Sequence, residues 1–430
     1  MTNIRPIRSV AARAGVLGLA VGLVAWPAGA DAFSLSQTFN DPAPAILDDF
    51  GFSVAIDGNN VLIGDFRDDS NGVDAGQAYL FDATTGNLLQ TFNDPTPASV
   101  DDFGFSVAID GNNVLIGARL DDNNGPDVGQ AHLFDATSGN LLRTFNDPTP
   151  TTADTFGTSV AIDGNNVLIG ASRDDSTGSN VGQAHLFDAT TGNLLQTFND
   201  PTPNGGDRFG ASVAIDGGNV LIGAMFDSST GPTVGQAHLF DATSGNLLRT
   251  FNDPTPTIVD QFGISVAIDG NNVLIGAFRD DSTGSNVGQA HLFDAATGTL
   301  LQTFNDPTPN SGDRFGVAVA IDGGNVLIGA NGDDSNGADI GQAHLFDAAT
   351  GNLLQTFDDP TPTGGDNFGT SVAIDGGNVL VGAHNDSSIG LLVGQAHLFT
   401  QPVPEPSSLA LMLAGLLTLG LLRRRRSAER

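Results

Sequence analysis

Residues 103–150 read FGFSVAIDGNNVLIGARLDDNNGPDVGQAHLFDATSGNLLRTFNDPTP, four short apolar runs separated by turn residues. The same unit opens at Phe50-Gly51 and returns every 53 residues as far as Phe368-Gly369, which gives seven copies. In the first copy the runs predict strand a at 52–56, b at 60–63, c at 77–81 and d at 88–92, all rich in Val, Ile, Leu and Phe. Asp57-Gly58-Asn59 joins a to b and residues 82–87 join c to d, with Gly and Asn supplying the positive φ of tight hairpins. No helical stretch interrupts the copies. A period near 50 built only of strands predicts a meander that buries its faces against its neighbours. The expected fold is all-β, a seven-bladed propeller of four-stranded antiparallel blades.

The two ends of the repeat array predict how the ring closes. The seventh copy stops after residues 394–399 and lacks its LLQTF run, whereas residues 35–39, LSQTF, are that run without a blade. The N-terminal segment is therefore expected to complete the last blade. Such closure removes the open end that an unfinished sheet would present.

Outside residues 33–399, the propeller expected here, lie two targeting segments. Residues 1–32 carry Arg5, Arg8 and Arg13, an apolar run over 14–25, and Ala28 and Ala30, the pattern of a secretory signal. Residues 400–430 hold Pro404-Glu405-Pro406, a mostly apolar run over 409–422, and Arg423, Arg424, Arg425 and Arg426. That run is short for a hydrocarbon core of about 30 Å, and the arginines hold its end on the cytoplasmic side. A transient transmembrane anchor is expected. The three-part tail resembles the PEP-CTERM sorting signal of Gram-negative bacteria. The resemblance implies recognition by exosortase, a membrane transpeptidase-like enzyme, cleavage near the motif, and delivery to the cell surface or an exopolysaccharide matrix.

Composition narrows the chemistry. The chain has no cysteine and no lysine, which excludes disulfides and thiolate metal sites. Between residues 31 and 404 eight arginines face 47 aspartates, a net charge of −39. Nucleic acid is excluded as a partner, and cations are the natural counter-ions. Of those aspartates 33 fall in the b–c loops and d–a connections, which an up-and-down blade places at one end. The copies also differ most there, compare FRDDSNGVDAG after Asp65 with MFDSSTGPTVG after Ala224. Variable loops on a constant frame are where partner contacts are expected.

With Phe-Gly, Ser-Val-Ala, the Leu-Ile-Gly-Ala end of strand b and Gly-Gln-Ala-His-Leu-Phe in view, the copies resemble FG-GAP repeats, the units of integrin-α-type propellers. The resemblance implies strand a innermost and adhesion or ligand binding at a cell surface. Two departures stand out. The family's Asp-x-Asp-x-Asp-Gly calcium loop between a and b is here only Asp-Gly-Asn-Asn or Asp-Gly-Gly-Asn, so that site does not carry over. The proline after Gly-Ala is also absent.

Calcium has another candidate place. The b–c loops gather Asp68, Asp69 and Asp74 in the first copy, Asp121, Asp122 and Asp127 in the second, and Asp333, Asp334 and Asp339 in the sixth. Calcium takes six to eight oxygens, which backbone and water would complete. The aspartate two places before each Phe-Gly, from Asp48 to Asp366, is expected to cap the turn into strand a. Six histidines recur in strand c, His132, His185, His238, His291, His344 and His397, with Tyr79 in the first copy. Strand spacing of about 4.8 Å holds those of neighbouring blades over ~10 Å apart, so they are expected to pack between blades rather than share an ion.

No nucleophile–base pair stands out, and no glutamate precedes Glu405, so no enzyme is expected. The stretch Phe-Asp-Ala-Thr-Thr-Gly-Asn-Leu-Leu at the c–d hairpin is similar to the Asp-x-x-Thr-Gly turn of quinoprotein propellers, whose docking tryptophans are missing here. The expected role is an extracellular binding or structural module touching polysaccharide or a surface protein. The alternatives are a calcium-dependent, lectin-like module and, more distantly, an extracellular polysaccharide hydrolase or lyase.

Overall fold

The computed structural model describes residues 32–402. The signal segment before them and the tail from Pro404 through Arg426, with its apolar run over 409–422, lie outside the described residues. Among the described residues no helix is long and apolar enough to cross a membrane.

The chain begins with β1 (Ser34–Asn40) and then forms the first blade from β2 (Ser53–Asp57), β3 (Asn60–Asp65), β4 (Gln77–Asp82) and β5 (Leu88–Asn93), antiparallel in that order. Five more blades repeat the order from β6 (Phe103–Asp110) to β25 (Leu353–Asp358). The seventh holds β26 (Ser371–Asp375), β27 (Asn378–Ala383) and β28 (Gln395–Thr400), and β1 pairs with β28 as its outer strand. The seven four-stranded sheets and the closure by the N-terminal strand stand as the sequence implies. Strand a lines the axis, because the same three positions of all seven a strands, Phe52 to Val54 in the first blade, meet around one central cavity.

The core lies between blades. Leu62, Leu80 and Phe92 of the first blade pack with Phe103, Val114, Ile116 and Phe134 of the second, and the other interfaces repeat this set, with Val381 in place of the isoleucine in the seventh blade. Phe134 meets Phe103 edge to face at 6.1 Å and Phe92 at 5.1 Å. The outer strands contribute only their phenylalanine: Phe92 is buried while Leu88 and Leu89 are exposed.

The Phe-Gly and Ser-Val-Ala motifs are explained at the same interface. A Cβ on Gly64 would lie 2.1 Å from the carbonyl oxygen of Gly104, so strand b of one blade meets the Phe-Gly turn of the next through bare backbone. Ser53 Oγ donates to that same carbonyl at 2.8 Å, and Ser371 donates to Gly51 at 2.7 Å across the closing seam. At the a–b end a second ring forms. Asp57 Oδ2 accepts the Gly111 N–H at 2.6 Å, Asp110 accepts that of Gly164, and the series returns through Asp375 to Gly58 at 2.5 Å.

Candidate functional site

The a–b hairpins offer no calcium loop. Each is closed by an Asp-Gly turn, its single carboxylate is engaged on the neighbouring blade, and no further acid stands in the hairpin. The opposite, loop-rich end is where the copies diverge and where two arrangements arise.

The first is a depression of about 390 Å³ at the axis, lined among others by Phe105, Arg119, Arg173, Arg208, Met225 and Ile264. Its wall is built from three positions per copy that the repeat leaves free: the residue before Phe-Gly, the residue after it, and the one or two residues following strand b. Arg208 occupies the first of these with φ of 56°, the left-handed turn that each copy makes there. Arg119 lies over the Phe105 ring at 3.5 Å and donates through Nε to Asp102 at 2.8 Å. Arg173 and Arg208 have no carboxylate within 4.0 Å among the described residues. Partial burial, and secondarily the charge of Arg173, lower the Arg208 pKa. The hydroxyls of Thr155, Ser172 and Thr158 run along the wall, with Ser172 Oγ 3.2 Å from Thr155 Oγ1 and 3.3 Å from Thr158 Oγ1. Two unneutralised guanidiniums beside neutral hydroxyls can hold one anionic group and hydrogen-bond a polyhydroxylated neighbour.

The second arrangement concerns the aspartates expected to hold calcium. In each of the three loops the first carboxylate, Asp68, Asp121 or Asp333, is buried, whereas the second, Asp69, Asp122 or Asp334, is exposed. Asp69 Oδ1 accepts the Asp74 N–H at 2.8 Å, and Asp122 and Asp334 accept those of Asp127 and Asp339 at 2.7 Å. The third aspartate thus stands where the loop needs a left-handed residue, with φ of 49° at Asp74, and Asn180 fills that place in the third copy. The second carboxylate is engaged in closing its loop, and the first faces the blade interface.

There the first aspartate meets partners from two blades. Asp147, just after strand d of the second blade, Asp174 of the next b–c loop and His185 of the next strand c bring one donor atom each within 4.8 Å of one another. Asp94, Asp121 and His132 do the same one blade earlier, and the sets around His238, His291 and His344 repeat it. In the seventh blade His397 Nε2 lies 4.0 Å from Asp359 Oδ1, and the Thr361 hydroxyl donates to both Asp359 and Asp386, at 3.4 and 3.2 Å. All these side chains are buried. Burial pushes the Asp147 carboxyl up to about 6 and that of Asp253 up to about 7, and pushes the imidazoles of His185 and His291 down to about 4. The histidines also pack on phenylalanines, as at 5.9 Å between His185 and Phe156, so packing between blades is one part of their role.

The aspartates before Phe-Gly cap the turn as expected, Asp101 Oδ2 accepting the Ala98 N–H and Asp207 Oδ2 that of Asn204, each at 2.5 Å. Two features escape a reading of the sequence. The arginine pair is scattered over positions 173 and 208 and converges only through the axis. The Asp–Asp–His sets escape when histidine is compared with histidine; the constant offsets of 27 and 11 residues from Asp94 to Asp121 to His132 were the available signal.

Compared with family models, the chain matches the FG-GAP repeat over residues 44–81, 94–134, 150–187, 200–240, 258–293, 306–346 and 362–399. The PEP-CTERM protein-sorting motif matches over residues 402–426. No curated protein matches the chain.

Proposed function

The chain belongs to the FG-GAP repeat family, and from that premise we propose that it is an extracellular binding module that captures an acidic sugar of a surface or matrix polysaccharide in its axial mouth. The sorting motif marks it for exosortase during export and gives it a cell-surface or extracellular address. The observation that carries the reading is the adjacent pair Arg173 and Arg208, unneutralised in a protein where aspartate outnumbers arginine almost sixfold between residues 31 and 404. Guanidinium matches a carboxylate or sulfate bidentately, the three hydroxyls suit sugar oxygens, and Met225 with Ile264 offers apolar surface.

The acidic surroundings sharpen the specificity. A long polyanion lying across this face would meet the loop aspartates, whereas one charged residue at a chain end or branch enters a cavity of about 390 Å³ without doing so. The test is equilibrium binding of uronate-bearing and neutral oligosaccharides of equal length. The acidic ligand is expected to bind, and Arg173→Ala with Arg208→Ala to weaken it at least tenfold while leaving the melting temperature within a few degrees. Equal binding of both ligands, or an unaffected double variant, would remove this reading.

A further inference from the structure

The structure assigns a divalent transition-metal ion, of the zinc or manganese class, to each of the six Asp–Asp–His sets buried between blades, those of His132, His185, His238, His291, His344 and His397. The argument begins with atoms that lack partners. Nε2 of each of these six histidines is buried and makes no hydrogen bond, and so is Oδ2 of Asp94, Asp147, Asp200, Asp253, Asp306 and Asp359. An unpartnered buried polar atom forfeits the hydrogen bonds it made to water, and here that cost recurs at every one of these interfaces. Two carboxylates and one neutral imidazole, with no cation in reach, form a set that a dication satisfies.

The remaining bonds hold the donors in place. In the third blade Thr149 N–H donates to Asp147 Oδ1 at 2.7 Å, Ser176 N–H donates to Asp174 Oδ1 at 2.7 Å, and Thr197 Oγ1 lies 3.2 Å from His185 Nδ1. The threonine fixes the ring from its far side, as an outer partner does for a metal-bound histidine, and leaves Nε2 facing the carboxylates. Gln183 Oε1 stands nearby, 3.3 Å from the Thr149 hydroxyl, as a further oxygen. His291 Nε2 and Asp253 Oδ1 are 4.0 Å apart. The three donors of each set lie within 4.8 Å of one another, so a point shared by all three lies no more than about 2.8 Å from each, and drawing in by several tenths of an ångström reaches the ~2.0–2.2 Å that zinc takes from imidazole and carboxylate. Calcium, which takes its ligands from oxygen, has no use for the imidazole.

The first blade supplies an internal control. Tyr79 replaces the histidine, and its longer side chain carries a hydroxyl onto Asp68 Oδ2 at 2.9 Å and Gln77 Oε1 at 2.5 Å. Where histidine stands, that hydroxyl is missing, and Nε2 and the carboxylate Oδ2 are left without a hydrogen-bond partner.

The experiment is metal analysis of the full chain, stripped with chelator and dialysed against zinc, manganese or calcium at matched ionic strength. About six equivalents of zinc or manganese are expected, with a rise in melting temperature. His238→Gln should lower the count to five, and Tyr79→His should raise it to seven; the second variant adds a site and does not depend on tolerance to a loss. A count below one, as when ordered water alone fills the gaps, overturns the inference, and so does binding of calcium with zinc and manganese excluded. A count of six unchanged by either variant would place the ions elsewhere and overturn it equally.

Discussion

Thr38 Oγ1 lies 3.1 Å from His397 Nδ1, although the two residues are 359 positions apart. In a complete blade the same contact is made within one hairpin, as between Thr144 and His132 at 3.1 Å. The N-terminal strand therefore reproduces the bonding of a strand d rather than merely adhering to an open edge. Phe39 follows suit, buried between Phe81 of the first blade and Leu398 of the last.

From this closure follows a contrast between two residues of one strand. Phe39→Ala removes a ring that is 1% exposed and is expected to cost about 3–5 kcal/mol, whereas Leu35→Ala, at a site 45% exposed, should cost under about 0.5 kcal/mol. Denaturant melts followed by circular dichroism measure both. Similar small losses would mean that the ring holds without its N-terminal strand.

Gly117 and Gly111 offer a second contrast. Gly117→Ala puts a Cβ 2.2 Å from the Gly157 carbonyl of the next blade, and neither backbone can yield without parting the interface, so a loss of about 1–3 kcal/mol or more is expected. Gly111→Ala has open space and only the strain of φ at 56°, roughly 1 kcal/mol. If Gly111→Ala proved the worse of the two in a thermal melt, bare backbone contact could not be what the Phe-Gly motif secures.

These glycines show how far the sequence could be read. Strands, hairpins and ring closure are local or periodic properties, and seven near-identical copies repeat each signal until register and boundaries are plain. The functional geometry depends on the reverse, on what differs between copies or on what meets across them. Arg173 and Arg208 fall at unlike positions of adjacent units, and only the ring brings them side by side. Asp147 belongs by sequence to one repeat and by contact to the next, so its meeting with Asp174 and His185 is not legible within any single copy.

Asp65 breaks the repeat, since the other six copies carry Ala at the end of strand b. Its side chain is fully buried, both carboxyl oxygens lack partners, and burial, with Asp41 and Asp68 nearby, holds its pKa well above the usual carboxylate range. A raised folded-state value means that stability is fully present below the ordinary carboxylate pKa of 3.8 and is lost as pH rises toward the raised one. Asp65→Ala is thus expected to stabilise the protein by about 1–3 kcal/mol at pH 7 and by less at pH 4. A gain that did not shrink in acid would point to packing alone.

The ring of Asp57, Asp110, Asp163, Asp216, Asp269, Asp322 and Asp375 brings seven carboxylates around one axis, each answered by a neutral N–H and not by a cation. Repulsion among them opposes closure and is screened over about 8 Å at physiological ionic strength. Raising sodium chloride from low to physiological concentration should therefore raise the melting temperature. Asp216→Asn keeps an oxygen for the Gly270 N–H, now received at 2.6 Å, while removing one charge from the ring. The variant should melt higher than the parent at low salt and together with it at high salt. A difference that persisted undiminished in high salt would assign the effect to the hydrogen bond and not to the crowded charge.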